Sequence, residues 1–315
     1  MEISHKACRC CHSSSFVRQN LWAVVDPFFA RHGLHLQTDH QATVPLYDWG
    51  IRRKIDRLPA MLSAPLHRRL DHFRRKHLLT SHEIRIAYGY CTNCQFLAPW
   101  FRISDDQLRD YYAFYLKDEY KQARTQFQPN FVQLGKLMGS REEADRRRQQ
   151  HEAFILPHLT RMREATPGEH LRVLDYGGGE GMLIPRTPWI QGHVLDVEAE
   201  QREALDEKGK FDMVQCLHVL EHVGDPWQTF QEIVAQCRKG GLIYIEVPIE
   251  FPGVDAISRG DLPPCHEHIN KFCLTSIQAL LQASPVDVIL VESGTVDFLH
   301  LEGETPVIRG LARKR

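Results

Sequence analysis

The segment CHEHINKF, residues 265–272, concentrates side chains that can move a proton. His266 and His268 stand two positions apart, so on an extended chain they share one side and Glu267 faces the other. Imidazole titrates nearest to neutral pH, which makes both histidines candidates for a general base acting on a hydroxyl or a carbon acid. A second group of reactive side chains is the pair of C-x-x-C motifs, Cys8–Cys11 and Cys91–Cys94. Four thiolates at this spacing suit a closed tetrahedral zinc site, although 79 residues separate the pairs. Cys10 and His12 are alternative ligands, and buried unliganded thiols are the alternative to a metal.

A third feature is VLDYGGGEG, where Gly177, Gly178, Gly179 and Gly181 follow Asp175 and Tyr176. The spacing is neither the phosphate-cradling G-x-G-x-x-G nor a P-loop. An acidic strand end before such a loop lets bare backbone pass beneath a ligand while the carboxylate faces a cationic part of it. Asp196 lies 21 positions after Asp175 at the end of HVLD, where a carboxylate can accept both hydroxyl protons of a ribose.

These residues need elements to position them. LRVLDYG, GHVLDVE, FDMVQCLHV, GGLIYIEVP and VDVILVES are short apolar runs, most of them separated by segments able to form helices. That pattern predicts an α/β fold with a largely parallel sheet, with TPVIRGLARK as a final edge strand. The glycine loop then lies where ligands bind in such sheets, beyond the carboxyl ends of the strands. The two prolines of MLIPRTPW predict a short or broken helix after it. Ser140 and Glu143 form a capping-box signature that opens a charged helix. HEIRIAYGY alternates as a strand leading into the second cysteine pair.

From Leu171 onward the chain resembles the class I S-adenosylmethionine-dependent methyltransferases, especially those reading VLEHVGDP after the fourth strand and EH-hydrophobic-N-x-F later. Here those motifs are Val219–Pro226 and Glu267–Phe272. The resemblance implies a Rossmann-like, doubly wound, mostly parallel seven-stranded sheet with helices on both faces. It implies S-adenosyl-L-methionine as cofactor, held at its methionine end by Asp175, Tyr176 and the loop Gly177, Gly178, Gly179 and Gly181. Asp196 and Val197 would hold the ribose, and the backbone at Leu217 and His218 would close the site. His268 would be the general base with Glu267 as partner, and His266 beside them. Only fourteen residues separate Asp196 from Phe211, too few for the segment that usually marks the adenine. With four N-terminal cysteines holding structural Zn2+, the chain is similar to the sugar C-methyltransferases. The implied partner is a small-molecule acceptor, a sugar or nucleotide-sugar methylated on oxygen or carbon. An RNA or other small-molecule methyltransferase and a non-catalytic binding protein on the same fold are the alternatives.

Three parts follow: a zinc-binding region over residues 1–104 with a basic helical insert, a helical segment over 105–168, and a methyltransferase domain over 169–315. The insert carries nine Lys or Arg against two Asp between Arg52 and Lys76, which reads as a solvated helical face or as an anchor for a diphosphate or RNA. An aromatic cluster at Tyr111, Tyr112, Phe114, Tyr115 and Tyr120 reads as core or as a wall of the acceptor pocket. The net charge of −1 gives no general attraction to nucleic acid or membrane. The N-terminus lacks an apolar signal core, and no apolar run approaches the roughly 18 residues of a membrane span. A cytoplasmic protein is expected, with its nine cysteines as thiols or ligands rather than disulfides.

Overall fold

The computed structural model describes residues 7–24, 44–46, 80–100, 108, 110, 112–113, 117–125, 140–195, 211–250, 268–298 and 304–315. The expected helix over the basic insert falls outside them. So do Asp196, Val197, His266 and Glu267.

An N-terminal antiparallel sheet is built from β1 (Phe16–Val24), β2 (Val44–Leu46), β3 (Thr80–Cys91) and β4 (Leu97–Pro99). Strand β3 is its centre and pairs with the other three. The alternation of HEIRIAYGY falls on β3 as expected, and β3 delivers Cys91 directly into the second cysteine motif.

Two helices lie between the sheets in sequence, α1 (Asp118–Thr125) and α2 (Arg141–Ala165). Ser140 caps α2, its hydroxyl accepting from the Glu143 amide at 3.2 Å, and Glu142 and Glu143 fill the first turn where the helix dipole favours carboxylates.

The main sheet contains β5 (Leu171–Tyr176), β6 (Ile190–Leu195), β7 (Phe211–Leu217), β8 (Cys237–Pro248), β9 (Val286–Asp297) and β10 (Glu304–Lys314). Their order is β6-β5-β7-β8-β10-β9. The first four are parallel, and β10 runs antiparallel to both of its neighbours. Six strands therefore stand, among the described residues, where seven were expected. The expected edge position of TPVIRGLARK is also corrected: β10 is inserted between β8 and β9, and β9 is the edge. The cause is visible in the side chains. Val307, Ile308, Leu311 and Ala312 are buried, whereas β9 leaves Val288 and Ile289 exposed.

Helices α3 (Pro226–Gln236) and α4 (Leu274–Gln282) cover one face of the sheet, and α2 covers the other. On the first face Phe230, Ile233, Ile277 and Leu281 pack on Leu174, Val214, Ile243 and Ile245. On the second, Ile155, Leu159 and Met162 of α2 pack on Val173, Met213, Leu242 and Leu311. Each such side chain contributes about 1.5–3 kcal/mol on burial. These two layers fix the strand ends that carry the site. Where the prolines predicted a short or broken helix, residues 177–189 form turns and irregular backbone without a helix.

Candidate active site

The loop after β5 lies at the switch point of the sheet, where β5 has β6 on one side and β7 on the other. Gly177, Gly179 and Gly181 have φ of 74°, 54° and 70°, a left-handed region that side chains resist. The turn is closed by the Gly181 amide donating to the Gly178 carbonyl at 2.8 Å and the Gly177 amide donating to Leu195 at 2.7 Å. Gly178 has an ordinary backbone but no room. A Cβ there would fall on the Asp175 carboxyl group, so the loop folds back directly over this buried acid. A Cβ on Gly177 would meet Val219 at 2.6 Å, which places the loop against the turn that follows β7. The Tyr176 hydroxyl donates to Glu232 of α3 at 2.8 Å.

Leu217 ends β7 and is buried. The next residue, His218, adopts φ 55° without being glycine, a strained conformation worth on the order of 1 kcal/mol. Its surroundings hold it there. The His218 amide donates to the Glu246 carbonyl at 2.8 Å, and its ring stands 3.3 Å from both Glu221 and Glu246. Phe298 lies edge-on to the ring. Burial alone would lower the His218 pKa, but the two carboxylates overcome it and raise it. Burial likewise pushes the Glu246 carboxyl up, yet hydrogen bonds from His218 and Tyr244 dominate and bring it down to about 2. Arg309 completes this buried network at 3.3 Å from Glu246.

Arg147 on α2 stacks its guanidinium over Phe298 at 4.5 Å. Burial lowers its pKa against the attraction of Glu246, Glu143, Glu221 and Asp175. One of its guanidinium nitrogens is buried without a hydrogen-bond partner among the described residues. From sequence it was one arginine in the charged run ADRRRQQ.

The acceptor-side candidates converge beside this network. Glu221, His222 and His268 each bring one ligand-type atom within 4.8 Å of the other two. That spacing could hold a divalent ion, although Glu221 already faces His218 and His268 already faces Glu250. The His222 and His268 rings meet at 4.6 Å, and Tyr112 stands 6.0 Å from His222. Of the aromatic cluster, Tyr112 is exposed and Tyr120 is fully buried core.

Among the described residues, His268 has Glu250 as a carboxylate partner, 2.5 Å from its Nδ1, while the expected partner Glu267 lies outside them. Lys271 donates to the other Glu250 oxygen at 2.6 Å and is itself buried, with 1% exposure. A buried ammonium requires such a partner and keeps it ionised. Glu250 then holds Nδ1–H and directs the basic lone pair of His268 to Nε2. Asn270 staples this segment to the loop after β7 through hydrogen bonds to the carbonyls of Leu220 and Val223. Sequence reasoning missed Glu250 and Lys271. Glu250 stands 18 residues before His268, a distance only the fold closes.

The four cysteines meet as expected. The Sγ atoms of Cys8, Cys11, Cys91 and Cys94 lie within 4.8 Å of one another, with Cys8–Cys94 and Cys11–Cys91 at 3.7 Å. Zinc–sulfur bonds of about 2.3 Å in a tetrahedron put sulfurs about 3.8 Å apart, so the set fits Zn2+. Both motifs form the same turn. The amides of His12 and Gln95, each at positive φ, donate to the carbonyls of Cys8 and Cys91 at 2.9 and 2.8 Å. The amides of Cys10 and Cys94 point at the sulfurs of Cys8 and Cys91. Of the alternative ligands, Cys10 donates to the Ser276 carbonyl at 3.2 Å and also touches Cys94, and His12 packs on Trp227. Hydrogen bonding to Cys94 and burial push the Cys8 thiol far up, and burial moves Cys91 to about 11. A bound cation is what would favour the thiolates in such a pocket.

Comparison with known proteins agrees with this geometry. Residues 145–289 match the family model described as a methyltransferase domain. Among curated proteins, the chain is 30% identical to the ubiquinone biosynthesis O-methyltransferase of Chelativorans sp. (strain BNC1), over 26% of this chain and 42% of the relative. It is 26% identical to the protein of that name from Caulobacter sp. (strain K31), over 39% and 62%. The chain spans about half the length of the curated relatives it matches. Solved structures similar to it include magnesium protoporphyrin IX methyltransferase from Synechocystis PCC 6803, at 16% identity, 52% and 84% coverage and a TM-score of 0.34. Another is a methyltransferase from Methanosarcina mazei, at 10% identity, 49% and 96% coverage and a TM-score of 0.36.

Proposed function

We propose that this chain is an S-adenosyl-L-methionine-dependent methyltransferase acting on a hydroxyl of a small molecule, with structural zinc at its four cysteines. The observation that carries the proposal is the glycine loop folded over Asp175 at the switch point of a sheet inside the matched domain. A loop without side chains over a buried acid suits a ligand with a cationic amino group and a backbone-hugging body, which the methionine half of the cofactor has. Asp196 and Val197 are assigned to the ribose, and the backbone of Leu217 and His218 to the wall near the sulfonium.

Bound S-adenosylmethionine would supply a methyl group already activated by its positive sulfur. The protein then has to align the acceptor, exclude water and accept one proton. His268 is assigned to take the acceptor's hydroxyl proton at Nε2, with Glu250 orienting the ring through Nδ1 and stabilising the imidazolium that results. Tyr112 and His222 would flank the acceptor. Glu267 and His266 stay assigned to the acceptor side as hydroxyl contacts. A sugar or nucleotide-sugar is the finer reading, supported by the four-cysteine set together with the EH-hydrophobic-N-x-F motif. The O-methyltransferase names of the relatives favour oxygen over carbon as the methylated atom.

Titration calorimetry with S-adenosylhomocysteine tests the cofactor, and mass spectrometry of acceptor pools given isotopically labelled methyl donor tests the transfer. Saturation at about 100 Kd should stabilise the fold by roughly 2.7 kcal/mol. No stabilisation at millimolar ligand would remove the proposal.

A further inference from the structure

The two segments that carry the acceptor-side residues are 221–227 and 268–273, and both are tied to the four-cysteine unit. Arg9, between two of the cysteines, donates to the Gly224 carbonyl at 3.1 Å and the Pro99 carbonyl at 2.6 Å. Its own carbonyl accepts from the Trp227 amide at 3.1 Å, and His12 packs on the Trp227 ring at 4.3 Å. Leu97, three residues after Cys94, exchanges both backbone hydrogen bonds with Lys271, at 2.8 and 3.2 Å. Phe96 packs against Phe272 at 5.2 Å, and Cys10 reaches the Ser276 carbonyl that opens α4. Lys271 is therefore held by its backbone to the cysteine unit and by its ammonium to Glu250, which holds His268.

We infer that the four-cysteine unit is a clamp on the acceptor side of the site, and that Lys271 is the positioning residue that transmits it to His268. The inference rests on the proposed reading only in taking His268 as the base. Segments 221–227 and 268–273 carry few backbone ladder bonds of their own. They are held by the Asn270 staple, the Asn270 amide on the Glu221 carbonyl, the Ile249–Phe272 bridge and these contacts from the N-terminal unit. A cation at the cysteines would keep both turns closed and so keep Arg9 and Leu97 in place.

The test is hydrogen exchange of the full chain, zinc-loaded and then stripped by chelator, with S-adenosylhomocysteine affinity measured on both forms. Stripping should speed exchange at least about tenfold at residues 95–99, 221–227 and 268–273. Residues 171–184 should change less than about twofold, with cofactor-product affinity preserved. Unchanged exchange at 268–273 would show the unit to be autonomous and overturn the inference. Equal loss across every peptide would show a general stability element and overturn it as well. In zinc-loaded Lys271→Met, the nitrogen resonances of the His268 imidazole should move while exchange at 95–99 stays slow. An unmoved His268 signal would overturn the role of Lys271. The chelation arm does not depend on that variant folding. If the wild-type protein binds no S-adenosylhomocysteine, the methyltransferase reading fails, while the exchange pattern still decides the clamp.

Discussion

Gly178 and Gly179 are neighbours in one loop, yet the structure predicts opposite consequences for adding a methyl group to each. At Gly178 the backbone is ordinary, but the new Cβ would land on the Asp175 carboxyl group. Asp175 must leave its rotamer, at about 0.5–1.5 kcal/mol. Replacing glycine by alanine returns about 0.4–1 kcal/mol through the unfolded chain, so net stability should barely change. Binding should change a great deal. If Asp175 makes a charge-assisted hydrogen bond to the cofactor, its displacement removes about 1.5–3 kcal/mol, roughly a 10- to 150-fold loss of affinity. At Gly179 the position is reversed. Its φ is 54° and nothing lies within 4 Å of an added Cβ. Gly179→Ala should therefore cost about 1–2 kcal/mol of fold stability, a fall in Tm of roughly 2–8 °C, with affinity nearly intact. Calorimetry with S-adenosylhomocysteine and thermal melts on both variants separate the two effects. Wild-type affinity in Gly178→Ala would refute the assignment of Asp175 to the cofactor.

His268→Ala should lower methyl transfer by about 10²–10⁴ while leaving S-adenosylhomocysteine affinity unchanged, and Glu250→Gln should fall between it and wild type; a fully active His268→Ala enzyme would dismiss this base. Metal analysis should find one zinc per chain, and Cys11→Ser should lose it together with at least about 5 °C of Tm; full stability without metal would make the cysteines ordinary core. The Glu246 pKa, held near 2 against an ordinary 4.5, contributes on the order of 3 kcal/mol that is present above about pH 4.5 and lost as pH falls toward 2. His218 has the opposite sign, since its raised pKa contributes fully below about 6.5 and is lost as pH rises through the folded value. Urea midpoints across pH 3–8 should therefore be highest on the acid side of neutral, and Glu246→Gln should flatten the acid limb; identical limbs in the two proteins would contradict the network.

Strands β5, β7 and β8 were legible because they are buried on both faces and read as continuous apolar runs. VLDY, MVQCL and LIYIEV could hardly be anything else. Strand order was harder. A strand's neighbours depend on crossover geometry rather than on its own composition, so TPVIRGLARK looked like an edge. Only its burial between β8 and β9 shows why it carries Val307, Ile308, Leu311 and Ala312 together. Gly310 belongs to the same explanation, since a Cβ there would press on Ile245 at 2.9 Å and on Leu281 and Ile277 of α4.

The site divides along the same line between local and distant information. The cysteine pairs and the glycine loop are local motifs, and each forms a turn with residues at positive φ. The partner of His268 is distant information. Glu267, the adjacent carboxylate, lies outside the described residues. Among the described residues the carboxylate that meets His268 is Glu250, which arrives from just beyond the end of β8. Lys271 was invisible for a related reason, because in sequence a lysine reads as surface. It is the burial of its ammonium that makes it informative, since a charge removed from water persists only where a partner such as Glu250 holds it.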